Sequence, residues 1–248
     1  MLPMVCCLCP TYNHAQLLEN AIKLFELQDY PADRRVMLIL DDAGQFSPNE
    51  QSGPGWYLRS VRKRSQSLPH KYHALLDWSL DFQPDVYVLI DDDDVYLKSH
   101  ISRSVAAVQE SGWSHPSFIW SLYTGSPQLE GASGRFHGSL AVSRELLDRV
   151  GGWLGVMPTG HEKRADFDQR LLGSLRSVCQ AGDPLRGGHP TYVYRWGSTG
   201  AFGHCSGLMA SPDNEDWYDR YGQRSVQPFG HLRPALDAES QNLLSSLP

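Results

Sequence analysis

The chain has 248 residues, of which 41% are hydrophobic and 20% charged. This is ordinary globular usage and excludes a disordered chain, a collagen-like fibre and a coiled coil. The formal net charge of −6 argues against a strongly basic protein that coats nucleic acid.

The first predicted element is Val5 to Cys9, a short apolar run closed by Pro10, which reads as a buried strand. Its flank has no basic n-region and no small-residue cleavage site, so it is not read as a signal peptide. Asn13 is a good N-cap for the next stretch, where Leu17, Leu18, Ala21, Ile22 and Phe25 recur at helical spacing. Val36 to Leu40 is a second buried strand and ends in Asp41-Asp42. Strand, helix, strand is a βαβ unit, so these two strands should be parallel.

Residues 43–55 read as a loop by composition. Tyr72 to Phe82 is an amphipathic helix. Val86 to Ile90 is a third buried strand, running into Asp91-Asp92-Asp93-Asp94. Ser99 caps a helix to Glu110. Phe118 to Tyr123 and Gly138 to Val142 read as strands, and Arg144 to Val150 as a short helix stopped by Gly151-Gly152. Asp166 to Val178 is the last clear helix. Beyond Tyr192 to Trp196 the chain is rich in Gly, Ser and Pro. The organisation expected is one domain over 1–248: a nucleotide-sugar-binding half over 1–100, an acceptor-side half over 101–190 and an irregular segment over 191–248.

No apolar run approaches the ~20 residues of a membrane span. The five cysteines (Cys6, Cys7, Cys9, Cys179 and Cys205) are odd in number and clustered. They form no disulfide framework, so a reducing cytoplasm is the expected location.

Two of the three buried strands end in acidic clusters. In open α/β sheets, ligands bind beyond the carboxyl ends of the strands. Adjacent carboxylates ~4 Å apart repel by about 1 kcal/mol in water and about 4 kcal/mol at an effective dielectric near 20. A cation relieves that repulsion, and oxygen ligands suit Mg2+ or Mn2+ bridging to phosphates.

Four features in chain order resemble family 2 glycosyltransferases. These are Pro10-Thr11-Tyr12-Asn13 after strand one, Asp41-Asp42 after strand two, Ile90 to Asp94 after strand three, and Ala165-Asp166-Phe167-Asp168. Leu140 to Trp153 is similar to the segment that packs under the acceptor site in that family. The resemblance implies the GT-A fold: α/β, a Rossmann-like and mostly parallel central sheet flanked by helices, with a mixed acceptor-side half. It implies a metal-dependent, inverting transfer of a single sugar from a nucleotide sugar, a UDP-sugar first, with Mn2+ or Mg2+.

By the same resemblance, Thr11, Tyr12 and Asn13 line the nucleobase pocket, with Tyr12 stacking. One of Asp41 and Asp42, with Asp42 favoured, accepts a base N–H. Asp93 is the metal ligand, with Asp91 and His204 as further ligands. Asp91 or Asp92 holds sugar or ribose hydroxyls, and Lys71 contacts the diphosphate. Asp166 is the general base and Asp168 its alternative. Ala165 departs from the Glu usual before the catalytic Asp, and Glu162 or Asp168 could stand in for it. His137 would face acceptor or metal. Trp153 would be a sugar platform or core, and Arg195 could reach the diphosphate. Arg59 to Arg64 reads mainly as a solvated basic face.

The acceptor stays open among glycan, small molecule, protein and modified DNA base. A nucleotidyltransferase would want a Gly-rich, basic phosphate loop after strand one, which Pro10 to Asn13 does not supply. A lapsed nucleotide-sugar-binding module is the other alternative, and Ala165 is its support.

Overall fold

A computed structural model describes residues 2–122, 127–132, 134–159, 166–185, 188–195 and 242. The elements in chain order are β1 (Val5–Thr11), α1 (Ala15–Glu26), β2 (Arg35–Asp41), β3 (Glu50–Gly53), β4 (Trp56–Ser60), α2 (Leu68–Ser79), β5 (Val86–Leu89) and β6 (Val95–Tyr96). They continue with α3 (His100–Ser111), β7 (Trp113–Ser114), β8 (Phe118–Leu122), β9 (Gln128–Gly131), β10 (Ala141–Ser143), α4 (Arg144–Arg149), α5 (Gly152–Gly155), α6 (Phe167–Val178) and β11 (Tyr192–Arg195).

β1 is the centre of a seven-stranded sheet ordered β3-β4-β2-β1-β5-β10-β7. The strands β4, β2, β1 and β5 are parallel to one another, whereas β3, β10 and β7 pair antiparallel at the margins. Both faces of the sheet are covered, which is why its inner strands read as continuous apolar runs. Successive side chains on β1 alternate between two cores. Val5, Cys7 and Cys9 pack with Leu18, Phe25, Ile101 and Val105 of α1 and α3. Cys6 and Leu8 pack with Tyr72, Leu75, Trp153 and Leu171 on the α2, α5 and α6 side.

A second sheet, ordered β6-β11-β8-β9, stands beside the first. Its strand β6 begins directly after the acidic loop, so that loop bridges the two sheets. The Gln28 side chain fixes the junction from behind. Its Nε2 donates to the carbonyls of Leu24, Tyr96 and Leu97, and its Oε1 accepts from the Ile101 N–H at 3.0 Å.

The register of β1 on β2 sets Thr11 beside Asp41, and β5 runs parallel on the other flank of β1. All three strands therefore deliver their following residues to one edge. Some expectations are corrected here. The loop over 43–55 contains β3, a polar edge strand that carries no hydrophobic signal. Asn13 is not the N-cap of α1: it sits at φ 58° in the left-handed region, and His14 occupies the cap position. The strand expected from Gly138 begins at Ala141, because His137–Ser139 form a 3-10 turn. Among the described residues, no helix is long and apolar enough to cross a membrane.

Candidate active site

The ends of β1 and β2 and the start of α2 are tied together by buried charges. Asp41 is fully buried and its carboxylate accepts four hydrogen bonds. These come from the N–H groups of Ala43 (2.9 Å) and Gln45 (2.9 Å), from Gln45 Nε2 (3.3 Å) and from Ser60 Oγ (2.7 Å). A carboxylate has about four acceptor sites, so the turn after β2 and Ser60 at the end of β4 together fill Asp41. Asp42 is different. Its Oδ1 pairs with Lys71 Nζ at 2.6 Å, and its Oδ2 accepts the Ser65 N–H at 2.9 Å. Burial pushes the Asp42 carboxyl up, but Lys71 and Ser65 together outweigh it and hold the group below the usual carboxylate range. The Ser65 side chain bonds to Asp42 as well, so one of its about four acceptor sites remains.

Lys71, expected at the diphosphate, is itself buried and also donates to the Thr11 carbonyl. Its helix starts at Ser67, whose hydroxyl accepts the His70 N–H, with Pro69 in the first turn. Tyr12 is half-buried and Asn13 exposed. The Arg64 guanidinium lies 3.7 Å from the Tyr12 ring centroid, covering one face. The basic run is thus not simply solvated: Arg59 also stacks over Trp78 at 4.1 Å.

The four carboxylates after β5 go to separate places. The Asp91 N–H donates to Tyr96 Oη at 2.8 Å, and Asp91 Oδ1 accepts from Tyr72 Oη at 3.3 Å. Its Oδ2 sits only 2.3 Å from where a Cβ on residue 138 would be, so Gly138 leaves the space the carboxylate needs. Asp94 is drawn into the second sheet, where the Tyr192 hydroxyl and the Arg195 N–H (2.9 Å) both donate to it. Burial, then Asp93, push the Asp94 carboxyl well above its usual range.

Asp92 and Asp93 remain together with a residue that the sequence reading passed over. His14 Nδ1 lies 3.2 Å from Asp92 Oδ1, and ligand atoms of His14, Asp92 and Asp93 all fall within 4.8 Å of one another. Asp92 Oδ2 is buried and has no hydrogen-bond partner among the described residues. A cation suits a carboxylate oxygen left in that state, so the donor set fits a divalent metal. Of the residues expected at a metal, Asp93 belongs to this group, Asp91 is turned toward Tyr72 and Gly138, and His204 lies outside the described residues. So do Glu162, Ala165 and Trp196. The only signal for His14 in the sequence was its place directly after the turn that closes β1.

An aromatic column leads away from Asp91. The Tyr72 ring stacks on Trp153, and Trp153 Nε1 donates to His137 Nε2 at 2.9 Å. The His137 ring meets Phe167 edge-on at 5.4 Å. Trp153 is 0% exposed, so of its two expected roles the structure assigns core packing. His137 faces that column, with burial, then His115, pushing its imidazole down to about 3. It is neutral, and Nδ1 carries the proton because Nε2 accepts. Phe167 is flanked by Asp166 and Asp168 at the start of α6. Asp166, 38% exposed at its side chain, pairs with Arg170 Nε at 3.0 Å. Asp168 accepts the Gln169 N–H at 2.7 Å, and burial pushes its carboxyl up.

No sequence family and no characterised sequence matches the chain. Solved structures do. A mannosyltransferase from Pyrobaculum calidifontis, in complex with GDP-Man and Mn2+, superposes with a TM-score of 0.58 at 19% identity, over 81% of this chain and 59% of that one. TarS from S. aureus superposes with a TM-score of 0.57 at 14% identity, over 77% of this chain and 60% of that one. The chain has the GT-A glycosyltransferase fold. The complex of S. aureus TarS with UDP-GlcNAc matches over 98% of this chain and 71% of that one, at 11% identity and a TM-score of 0.56. The chain thus spans about 60% of the length of the first two structures. Likeness at this identity establishes the shared architecture, an α/β sheet of the kind in which ligands generally bind beyond the carboxyl ends of the strands.

Proposed function

We propose that this chain is a metal-dependent glycosyltransferase that moves one sugar from a nucleoside diphosphate sugar to an acceptor hydroxyl with inversion. The observation that carries the proposal is the His14, Asp92 and Asp93 group at the carboxyl ends of the strands, with a buried Asp92 oxygen that has no partner among the described residues. The neighbours lend support in kind, being described with GDP-Man and Mn2+ or with UDP-GlcNAc.

The nucleobase lies against Thr11 and the open face of Tyr12, with Asn13 at the rim. Asp42 accepts the base N–H, because it has an acceptor site to spare and Asp41 has none. Lys71 holds Asp42 in place and keeps it ionised. Asp91, oriented by Tyr72 and Tyr96, takes a sugar or ribose hydroxyl. Asp93 and Asp92 would hold a divalent ion, which would supply charge neutralisation for the departing diphosphate. Asp166 removes the acceptor proton as the hydroxyl attacks the anomeric carbon from the face opposite the leaving group. The sugar configuration therefore inverts with no sugar bound covalently to the enzyme. Asp168, two residues on at the start of α6, is the alternative base.

The test is a thermal-shift series with UDP, GDP, CDP and dTDP, each with and without Mn2+. Nucleotide release from UDP-GlcNAc, UDP-glucose and GDP-mannose is measured beside it. Ligand at 100 times its Kd stabilises the folded state by about 2.7 kcal/mol. The expected result is one nucleotide that stabilises more strongly with Mn2+, and release from its sugar. No shift with any nucleotide and no release would overturn the proposal.

A further inference from the structure

We infer that His14 is a protein ligand of the divalent ion in the donor site, and that its imidazole biases the site toward Mn2+ over Mg2+. This rests on the proposed metal-dependent reading and adds to it a residue outside the acidic loop, with a consequence for which ion is used.

Position comes first. His14 stands between the end of β1 and the start of α1, and its carbonyl accepts the Leu18 N–H at 2.9 Å, which fixes its backbone. Its side chain does no capping, so the imidazole is available to the acidic loop. The side chain is only 18% exposed, which limits the orientations open to it.

Spacing comes second. Ligand atoms about 2.1 Å from a metal stand about 3.0 Å apart when adjacent in an octahedron and about 3.4 Å apart in a tetrahedron. His14 Nδ1 and Asp92 Oδ1 are 3.2 Å apart. An ion can therefore take the place of the hydrogen between them with little movement of either side chain.

A third, separate observation concerns the other oxygen of the same carboxylate. Asp92 is 7% exposed, and its Oδ2 has no hydrogen-bond partner among the described residues. A buried carboxylate oxygen without a partner carries the cost of its lost hydration uncompensated. A hydrogen bond from His14 to Oδ1 leaves that cost in place, whereas an ion held by both oxygens of Asp92, together with His14 and Asp93, removes it.

The choice of ion follows from the ligand atoms. Mg2+ takes oxygen ligands and keeps its water, whereas imidazole raises affinity for transition metals. A site of two carboxylates alone would separate the two ions weakly. One imidazole nitrogen is enough to favour Mn2+.

The experiment is pulsed electron paramagnetic resonance of Mn2+ bound to the full chain, alone and with UDP or GDP, in the wild type, His14→Gln and Asp93→Asn. Mn2+ and competing Mg2+ affinities are measured on the same samples. The wild type should show nitrogen modulation from a bound imidazole, and labelling histidine with 15N should change that modulation. His14→Gln should lose the modulation and bind Mn2+ about ten-fold or more weakly, with a smaller change for Mg2+. Asp93→Asn should lose both ions. The wild-type spectrum carries the result even if a variant folds poorly. Mn2+ binding with no nitrogen modulation, or with modulation and affinity unchanged in His14→Gln, overturns the assignment of His14 and leaves the metal site standing. No Mn2+ binding by the wild type under any of these conditions overturns both.

Discussion

Trp153 lies flat on Tyr72, with ring centroids 4.5 Å apart and planes 12° from parallel. The stack carries the Tyr72 hydroxyl to Asp91 on one side and the Trp153 N–H to His137 on the other. It joins the acidic loop to the start of α6. Tyr72→Phe keeps the stack and removes one hydrogen bond, which should cost only about 1 kcal/mol of stability. Nucleotide affinity should fall all the same, because Asp91 loses the group that orients it. Trp153→Ala should cost about 3–5 kcal/mol. Urea unfolding and nucleotide titration separate the two effects. A Tyr72→Phe protein that binds nucleotide like the wild type would contradict the role given to the hydroxyl.

Gly138→Ala tests the close approach to Asp91. The added Cβ would meet Asp91 Oδ2 at 2.3 Å and Tyr192 Oη at 3.0 Å. Overpacking of this kind costs about 1–3 kcal/mol. The expected outcome is a lower melting temperature together with weaker metal-dependent nucleotide binding. A fully stable variant with unchanged binding would show that Asp91 can move aside at no cost.

The two carboxylates at α6 are told apart by charge removal. Asp166→Asn preserves shape and should lower kcat by about 10²–10⁴ while leaving nucleotide affinity unchanged. Asp168→Asn should cost much less. If Asp168→Asn is the dead variant and Asp166→Asn the active one, the base is Asp168. The acid limb of the rate profile would then lie above the usual carboxylate range, because burial raises that group.

Lys71 and Asp42 form a buried pair, each side chain 5% exposed. Lys71→Met leaves the Asp42 charge buried without its counterion and should destabilise the protein by about 3–5 kcal/mol. Adding Asp42→Leu should recover much of that loss, which urea unfolding of the single and double variants would measure. The pH dependence has a definite sign. The folded-state pKa of Asp42 is below its unfolded value, so its contribution is present above about pH 4 and is lost on further acidification. Asp42→Asn should remove that acid component. Single and double variants of equal stability would show the pair to be weak.

Buried histidines act at higher pH. Burial pushes His100 down to about 3, and burial, then His115, does the same to His137. Both folded pKa values lie below the unfolded ~6.5, so the unfolded chain takes up protons first as pH falls. Each contribution is whole above about pH 6.5 and declines below it by about 1.4 kcal/mol per pH unit. His115 shifts in the same direction, whereas His14, raised by its hydrogen bond to Asp92, works in the opposite one. His100→Gln, at a ring that contacts Tyr96 and Tyr192 but no carboxylate of the acidic loop directly, should flatten the slope between pH 6.5 and 5 by about 1.4 kcal/mol per unit. Parallel pH profiles for wild type and variant would rule out a buried neutral His100.

The three inner strands were legible because helices cover both faces of the sheet, so Val5 to Cys9, Val36 to Leu40 and Val86 to Ile90 had no polar alternation to blur them. β4 was not read, because its residues alternate between buried and exposed over only five positions beside a run of arginines. β3 and β9 are short and largely polar, and pairing with a neighbour makes them strands. The acidic strand ends showed where the ligand edge is. They did not show how the carboxylates divide, since that depends on Tyr72, Tyr192 and His14, which reach them from distant parts of the chain. A single histidine at a helix start resembles any capping residue until the third strand is laid beside it.

The three clustered cysteines have a use of their own. Cys6, Cys7 and Cys9 are free, fully buried and on the innermost strand, and burial pushes the Cys7 thiol up to about 12. A thiol reagent in water reacts with the thiolate, so it can modify them only after β1 has parted from its neighbours. The rate at which they are labelled, at reagent concentrations high enough to trap every opening, is therefore a direct clock for separation of the sheet at its centre. Ligand that binds the adjoining edge should slow that clock, with no dye or engineered probe required.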